Sequence, residues 1–172
     1  LLTMALNVVS SDRLSTIVKT SNLATGLSDK VGQSKNIAIN GAMNVAQRGT
    51  SSTTSASYTC DRFRVKWSGQ DEVLTYSQHA LTSSDTGPWA KGFRYSLHVQ
   101  NGNQTSGAGA ADYANINYRV EAQDVAGSGW DYTSASSYIT LSFWVKSSVA
   151  QTFYFIITNG DGTTYNLSLI HI

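Results

Sequence analysis

Cysteine and proline each occur once in the 172 residues, and charged side chains make up only 13%. A lone Cys60 closes no internal disulfide and has no neighbouring cysteine for a zinc-ligand pair, so a disulfide-stapled scaffold is excluded. The 12 basic and 11 acidic residues leave a formal charge of +1, with the signs interspersed, which argues against electrostatic nucleic-acid binding. No apolar run approaches the roughly 20 residues that span a bilayer, and the first residues lack the regions of a signal peptide; neither membrane insertion nor secretory processing is expected.

Catalytic material is equally sparse. The three histidines, His79, His98 and His171, share no motif with Cys60 or with a Gly-x-Ser-x-Gly nucleophile turn. Glu72 and Glu121 are the only glutamates, and nothing pairs either with an aspartate at the close range that glycoside hydrolysis needs. The 107–109 Gly-Ala-Gly run is followed by no phosphate-loop lysine. Residues 159–162, Asn-Gly-Asp-Gly, lack the remaining acids of an EF-hand and read as a hairpin turn. No enzymatic activity is expected.

What is abundant points to an all-β protein. Apolar residues reach 41% and aromatics 10%, with 14 glycines, 24 serines and 18 threonines, a makeup of hydroxyl-rich sheet faces and glycine turns. Residues 1–34 read apart from the rest. Leu14 and Val18, then Leu23, Leu27 and Val31, recur at intervals of four, which predicts a short helical or extended lead-in suited to oligomerisation, with docking onto its own domain as the alternative.

From residue 35 the period becomes two, and residues 35–166 read as one β-sandwich domain. Ile37 and Ile39 predict a strand before Asn40-Gly41, and residues 50–57 predict a loop. Phe63, Val65 and Trp67 alternate with Arg62, Arg64 and Lys66, giving a strand with a basic face that could meet acidic glycans; residues 72–76 are its expected companion. Residues 80–91, with Pro88, form a long connection. Phe93, Tyr95, Leu97 and Val99 point inward on the next strand, opposite Arg94, Ser96, His98 and Gln100. Residues 103–112 are a loop, followed by a strand with Ile116, Tyr118 and Val120 and by turn material at residues 127–129. Ile139, Leu141, Phe143 and Val145 mark another inward face, and residues 152–158 a last long strand. The uneven spacing predicts a jelly roll rather than a meander.

Residues 36–64, NIAINGAMNVAQRGTSSTTSASYTCDRFR, resemble the opening of a phage tail or tail-fibre protein family, in which N-x-x-I-N-G-x-M-x-V-x-Q-R-G-T precedes a loop and a Y-T-x-D-R-[WF] strand. The likeness continues through Tyr118-Arg119-Val120-Glu121 and residues 141–146, LSFWVK. Cys60 stands where the family usually has a small residue, and Phe63 where it often has Trp. The resemblance implies a carbohydrate-binding-module-like, galactose-binding-like jelly roll in a trimeric virion protein. Such a protein is made in the bacterial host cytoplasm, joins other phage tail proteins and touches host-surface glycans. Related binding modules often hold a structural calcium, to which Asp71, Glu72, Asp112 or Asp124 could contribute oxygens. A purely structural fibre role and a module of a bacterial glycoside hydrolase are the alternatives.

Residues 167–172, LSLIHI, resemble the translation of a transposon-end sequencing adapter, and Met4 after Leu1-Leu2-Thr3 looks like a start codon with upstream codons translated. The first implies a non-native tail and, since the family domain continues with further strands, a jelly roll truncated at its C-terminal side; the second implies a fragmentary reading frame, and a natural hydrophobic last strand is the alternative to the adapter.

Sugar recognition needs flat aromatic faces in a shallow polar groove. Trp144 and Tyr154 lie on the phase opposite the main apolar residues of their strands, and Trp89 and Trp130 lie in loops beside Gly and Asp. These four are the candidate carbohydrate-binding residues, with core packing as the competing role for each.

Overall fold

The computed structural model describes residues 2–9, 36–103, 105, 109–158 and 164–171, the first and last of these segments as backbone only. The lead-in stripe between Leu14 and Val31, the 106–108 part of the glycine loop and the 159–162 turn lie outside the described residues.

Ten strands and two short helices make up the described chain. The strands are β1 (Leu2–Val9), β2 (Ser51–Ser52), β3 (Ser57–Tyr58), β4 (Phe63–Ser68), β5 (Thr75–Ala80), β6 (Tyr95–Gln100), β7 (Tyr113–Tyr118), β8 (Thr140–Lys146), β9 (Thr152–Thr158) and β10 (Thr164–His171). The helices are α1 (Thr86–Ala90) and α2 (Ala122–Ser128). A five-stranded sheet runs β2-β5-β6-β1-β8, a three-stranded sheet β3-β4-β7, and β9 pairs with β10 alone. Every pairing is antiparallel, so the all-β expectation holds.

One apolar cluster draws on both larger sheets. Phe63 and Val65 of β4, Tyr76 of β5 and Leu97 of β6 are fully buried with Met43, Cys60 and Leu74, and Trp67, Val99, Ile116, Tyr118, Leu141 and Phe143 pack against them. Burying each large side chain contributes about 1.5–3 kcal/mol. Trp67 meets Tyr76 edge-on at 5.9 Å between the two sheets, and Phe63 lies 4.9 Å from Tyr118. The Tyr76 hydroxyl donates to the Thr54 carbonyl at 3.0 Å, which satisfies the polar tip of a buried ring.

Several local expectations are corrected. Ile37 and Ile39 form no strand: the segment turns through Asn40 at φ 60° and Met43 at φ 56°. The Asn40 amide bonds the Val45 and Asp61 carbonyls, and the Tyr118 hydroxyl accepts the Ile39 N–H at 2.7 Å. Backbone groups that a strand would pair are thus met by side chains. The companions of β4 are β3 and β7, while residues 75–80, shifted from the expected 72–76, pair with β2 and β6. The 50–57 loop contributes two-residue strands at each end, and the 80–91 connection contains α1. Residues 122–128 are helical, and Gly129 ends that helix at φ 76° in the left-handed conformation favoured at C-termini. Residues 2–9, at the start of the 1–34 segment expected as a helical or extended lead-in, form a strand. Tyr95 is exposed while Ser96 is buried, so the inward alternation of β6 holds only at Leu97 and Val99.

Residues 164–171 run antiparallel to β9, with a register irregularity between Asn166 and Leu169 where LSLIHI begins.

Candidate functional site

The register defines the face of the five-stranded sheet that turns away from the core. Tyr76 stands opposite Val99 and Gln78 opposite Leu97, so Thr75, Ser77 and His79 of β5 share the other face with Ser96, His98 and Gln100 of β6. On β8 that face carries Ser142, Trp144 and Lys146, with the β1 positions Asn7, Ala5 and Thr3 opposite them. The result is a face of hydroxyl, amide and imidazole groups, fully buried at Ser96, with one tryptophan at its β8 edge. Trp144 is 41% exposed while Phe143 and Val145 beside it are half-buried.

Helix α1 covers this edge. An added Cβ on Gly87 would lie 2.5 Å from Cζ3 of Trp144 and 3.0 Å from Cε3 and Cη2, so the benzo ring occupies space that only glycine leaves. Lys146 reaches Asp85 at 3.4 Å, and the Asp85 carboxylate also accepts the Thr82 N–H at 3.0 Å. The Thr82 bond first, and Lys146 after it, hold the Asp85 carboxyl below its ordinary range. Trp89, two residues after Gly87, is covered by Arg94, whose guanidinium carbon is 3.9 Å from the ring centroid. Arg94 is fixed there by bonds to the carbonyls of Trp89 and Phe93 at 3.1 and 2.8 Å. Helix α1 and its flanks therefore bring two of the four candidate aromatics, Trp89 and Trp144, to one edge of the polar face.

The other two lie elsewhere. Trp130 is half-buried after α2, where its backbone N–H bonds the Ser128 hydroxyl, and its ring meets Tyr132 edge-on at 6.2 Å. Tyr132 is 72% exposed. Asp131 between them accepts the hydroxyl and N–H of Thr133 at 2.6 and 3.0 Å, which lowers its pKa and fixes the loop. Tyr154 is 72% exposed on β9, in the phase opposite Phe155, which stacks on Phe143 at 6.3 Å.

The basic strand face is taken up internally. Arg62 pairs with Glu121 and with Asp124 at 2.9 Å, and Arg64 Nε donates to the Ala56 carbonyl. Lys66 lies over Tyr113 at 5.4 Å. Among the described residues no three His, Cys, Asp or Glu side chains converge as a metal site. Of the four acids considered for calcium, Asp124 is bound to Arg62 and Asp112 accepts the Gly109 N–H at 2.6 Å.

Sequence reasoning missed Tyr132, Gly87, the cover of Arg94 on Trp89, and a contact between His79 and His98. The Trp-Asp-Tyr spacing at residues 130–132 was a usable signal for the first; the others depend on strand register. No family model, curated protein or solved structure matches the chain.

Proposed function

We propose that this chain is a non-enzymatic, carbohydrate-binding component of a phage tail or tail fibre, built on a jelly-roll-type sandwich of its two larger sheets. The observation that carries the reading is the position of Trp144. It is an exposed ring on a polar sheet face, seated against Gly87 of the short helix that also carries Trp89. A sugar offers C–H groups to an aromatic ring and hydroxyls to nearby polar groups; Ser142 and Lys146 flank Trp144 on its face of β8. Trp130 with Tyr132 forms a second aromatic platform.

The test is retention on immobilised bacterial surface polysaccharide, measured for the wild type and for Trp144→Ala, Trp89→Ala and Trp130→Ala. The reading expects retention by the wild type and at least a roughly tenfold loss for Trp144→Ala with the fold intact by circular dichroism. Equal retention by Trp144→Ala would remove the α1 edge from the site.

One observation favours a second reading, a purely structural fibre role. Tyr154 and Ile156 share one face of β9 and are 72% and 51% exposed, an apolar surface suited to assembly contacts. Absence of retention by the wild type together with self-association lost in Tyr154→Lys would favour it.

A further inference from the structure

His79 and His98 lie on neighbouring antiparallel strands, on the same face of the five-stranded sheet. Ser77 stands directly opposite His98, and Ser96 opposite His79, so the two histidines are diagonal partners. Their ring centroids are 5.3 Å apart, with 63° between the planes. His79 is exposed, whereas Nε2 of His98 is buried without a hydrogen-bond partner among the described residues. A buried ring nitrogen without a partner costs about 1–3 kcal/mol, so it calls for a cause.

We propose that His79 and His98 form a two-imidazole site for a divalent transition cation such as Zn²⁺. A metal about 2.0–2.1 Å from an imidazole nitrogen stands about 3.2 Å from that ring's centroid, so two imidazoles at a tetrahedral angle have centroids about 5.2 Å apart. The observed separation matches that value. The exposed His79 supplies the open side, and water completes the coordination. With only two protein ligands, affinity falls well short of a closed structural zinc site and exchange is fast. This inference is independent of the sugar-binding reading, because neither histidine belongs to the aromatic cluster at α1.

The probe is Zn²⁺ alone, added to the full chain and followed by titration calorimetry and by the side-chain ¹⁵N signals of the histidines. The expected result is saturable one-to-one binding with shifts of the His79 and His98 ring nitrogens. Affinity should fall at least about tenfold in His79→Ala and remain unchanged in His171→Gln. His79 is exposed, so its removal leaves the fold intact. Wild-type affinity in His79→Ala, loss confined to His171→Gln, or no shift at the His79 and His98 rings at saturating Zn²⁺ would each overturn the site.

Discussion

Replacing Gly87 by alanine tests the seat of Trp144 without touching the ring itself. Two effects oppose each other. Gly87 lies inside the five-residue helix α1, where alanine is favoured over glycine by about 0.5–1 kcal/mol. Against this, the new methyl would stand 2.5 Å from Cζ3 of Trp144 and 3.0 Å from two further ring atoms, and forcing a carbon into occupied space costs about 1–3 kcal/mol. The net expectation is a loss between near zero and about 2.5 kcal/mol. The Trp144→Ala background removes the collision and leaves only the helix gain. Urea denaturation of the wild type, both single variants and the double variant should therefore give a coupling energy of about 1–3 kcal/mol, with Gly87→Ala neutral or stabilising once the indole is gone. The same substitution should shift tryptophan emission and weaken glycan retention, since the ring must leave its seat. A coupling energy indistinguishable from zero would refute the contact between α1 and Trp144, and with it the geometry of the proposed sugar platform.

Three further outcomes are expected. Arg62→Met should destabilise the fold by about 2–4 kcal/mol, because Asp124, with its side chain 8% exposed, loses its cation, whereas Glu121→Gln, 47% exposed, should cost no more than about 1 kcal/mol; equal effects in thermal melts would contradict this division. Burial pushes the Cys60 thiol up to about 11, so its alkylation at pH 8 should be slowed about a hundredfold against the urea-unfolded chain, and comparable rates would place it at the surface. The pKa of His98 is lowered from 6.5 in the fold, so the unfolded chain takes up its proton first; with Zn²⁺ chelated, the urea midpoint should hold above pH 6.5 and fall as pH drops through it, and His98→Gln should flatten that decline.

How much of this was legible in the sequence depends on the range of the forces involved. Strands β4, β8 and β9 show clear alternation, and β9 occupies the predicted residues 152–158, because a half-buried strand writes its burial into every second residue. Ile37 and Ile39 carry the same signal over three residues only, and there the side chains of Asn40 and Tyr118 decide the conformation. Spacing marks only the end of helix α2, residues 127–129, as turn material, and misses the helix before it, which buries Asp124 and Ser128 rather than an apolar stripe. Partners of β4 and β5 were misassigned because pairing register is set by tertiary packing, which sequence spacing does not encode. For the same reason Trp144 and Trp89 were identifiable as aromatics on polar ground, while Gly87 as the seat of one and Arg94 as the cover of the other were not. The contact between His79 and His98 exists only once β5 and β6 are aligned.

The place of β1 in its sheet sets an order of events during synthesis. It lies between β6 and β8, pairing Met4 with Leu97 on one side and Leu6 with Phe143 on the other. At translation rates of about 5–20 residues per second, β1 leaves the ribosome several seconds before β6 and longer still before β8. β1 is thus enclosed only after both of its partners are made, and its apolar LTMALNVV segment waits while they are synthesised. The β4–β7 sheet can close earlier, so folding is expected to proceed from the middle of the chain outward, with the joining of its early and late segments as the slow step.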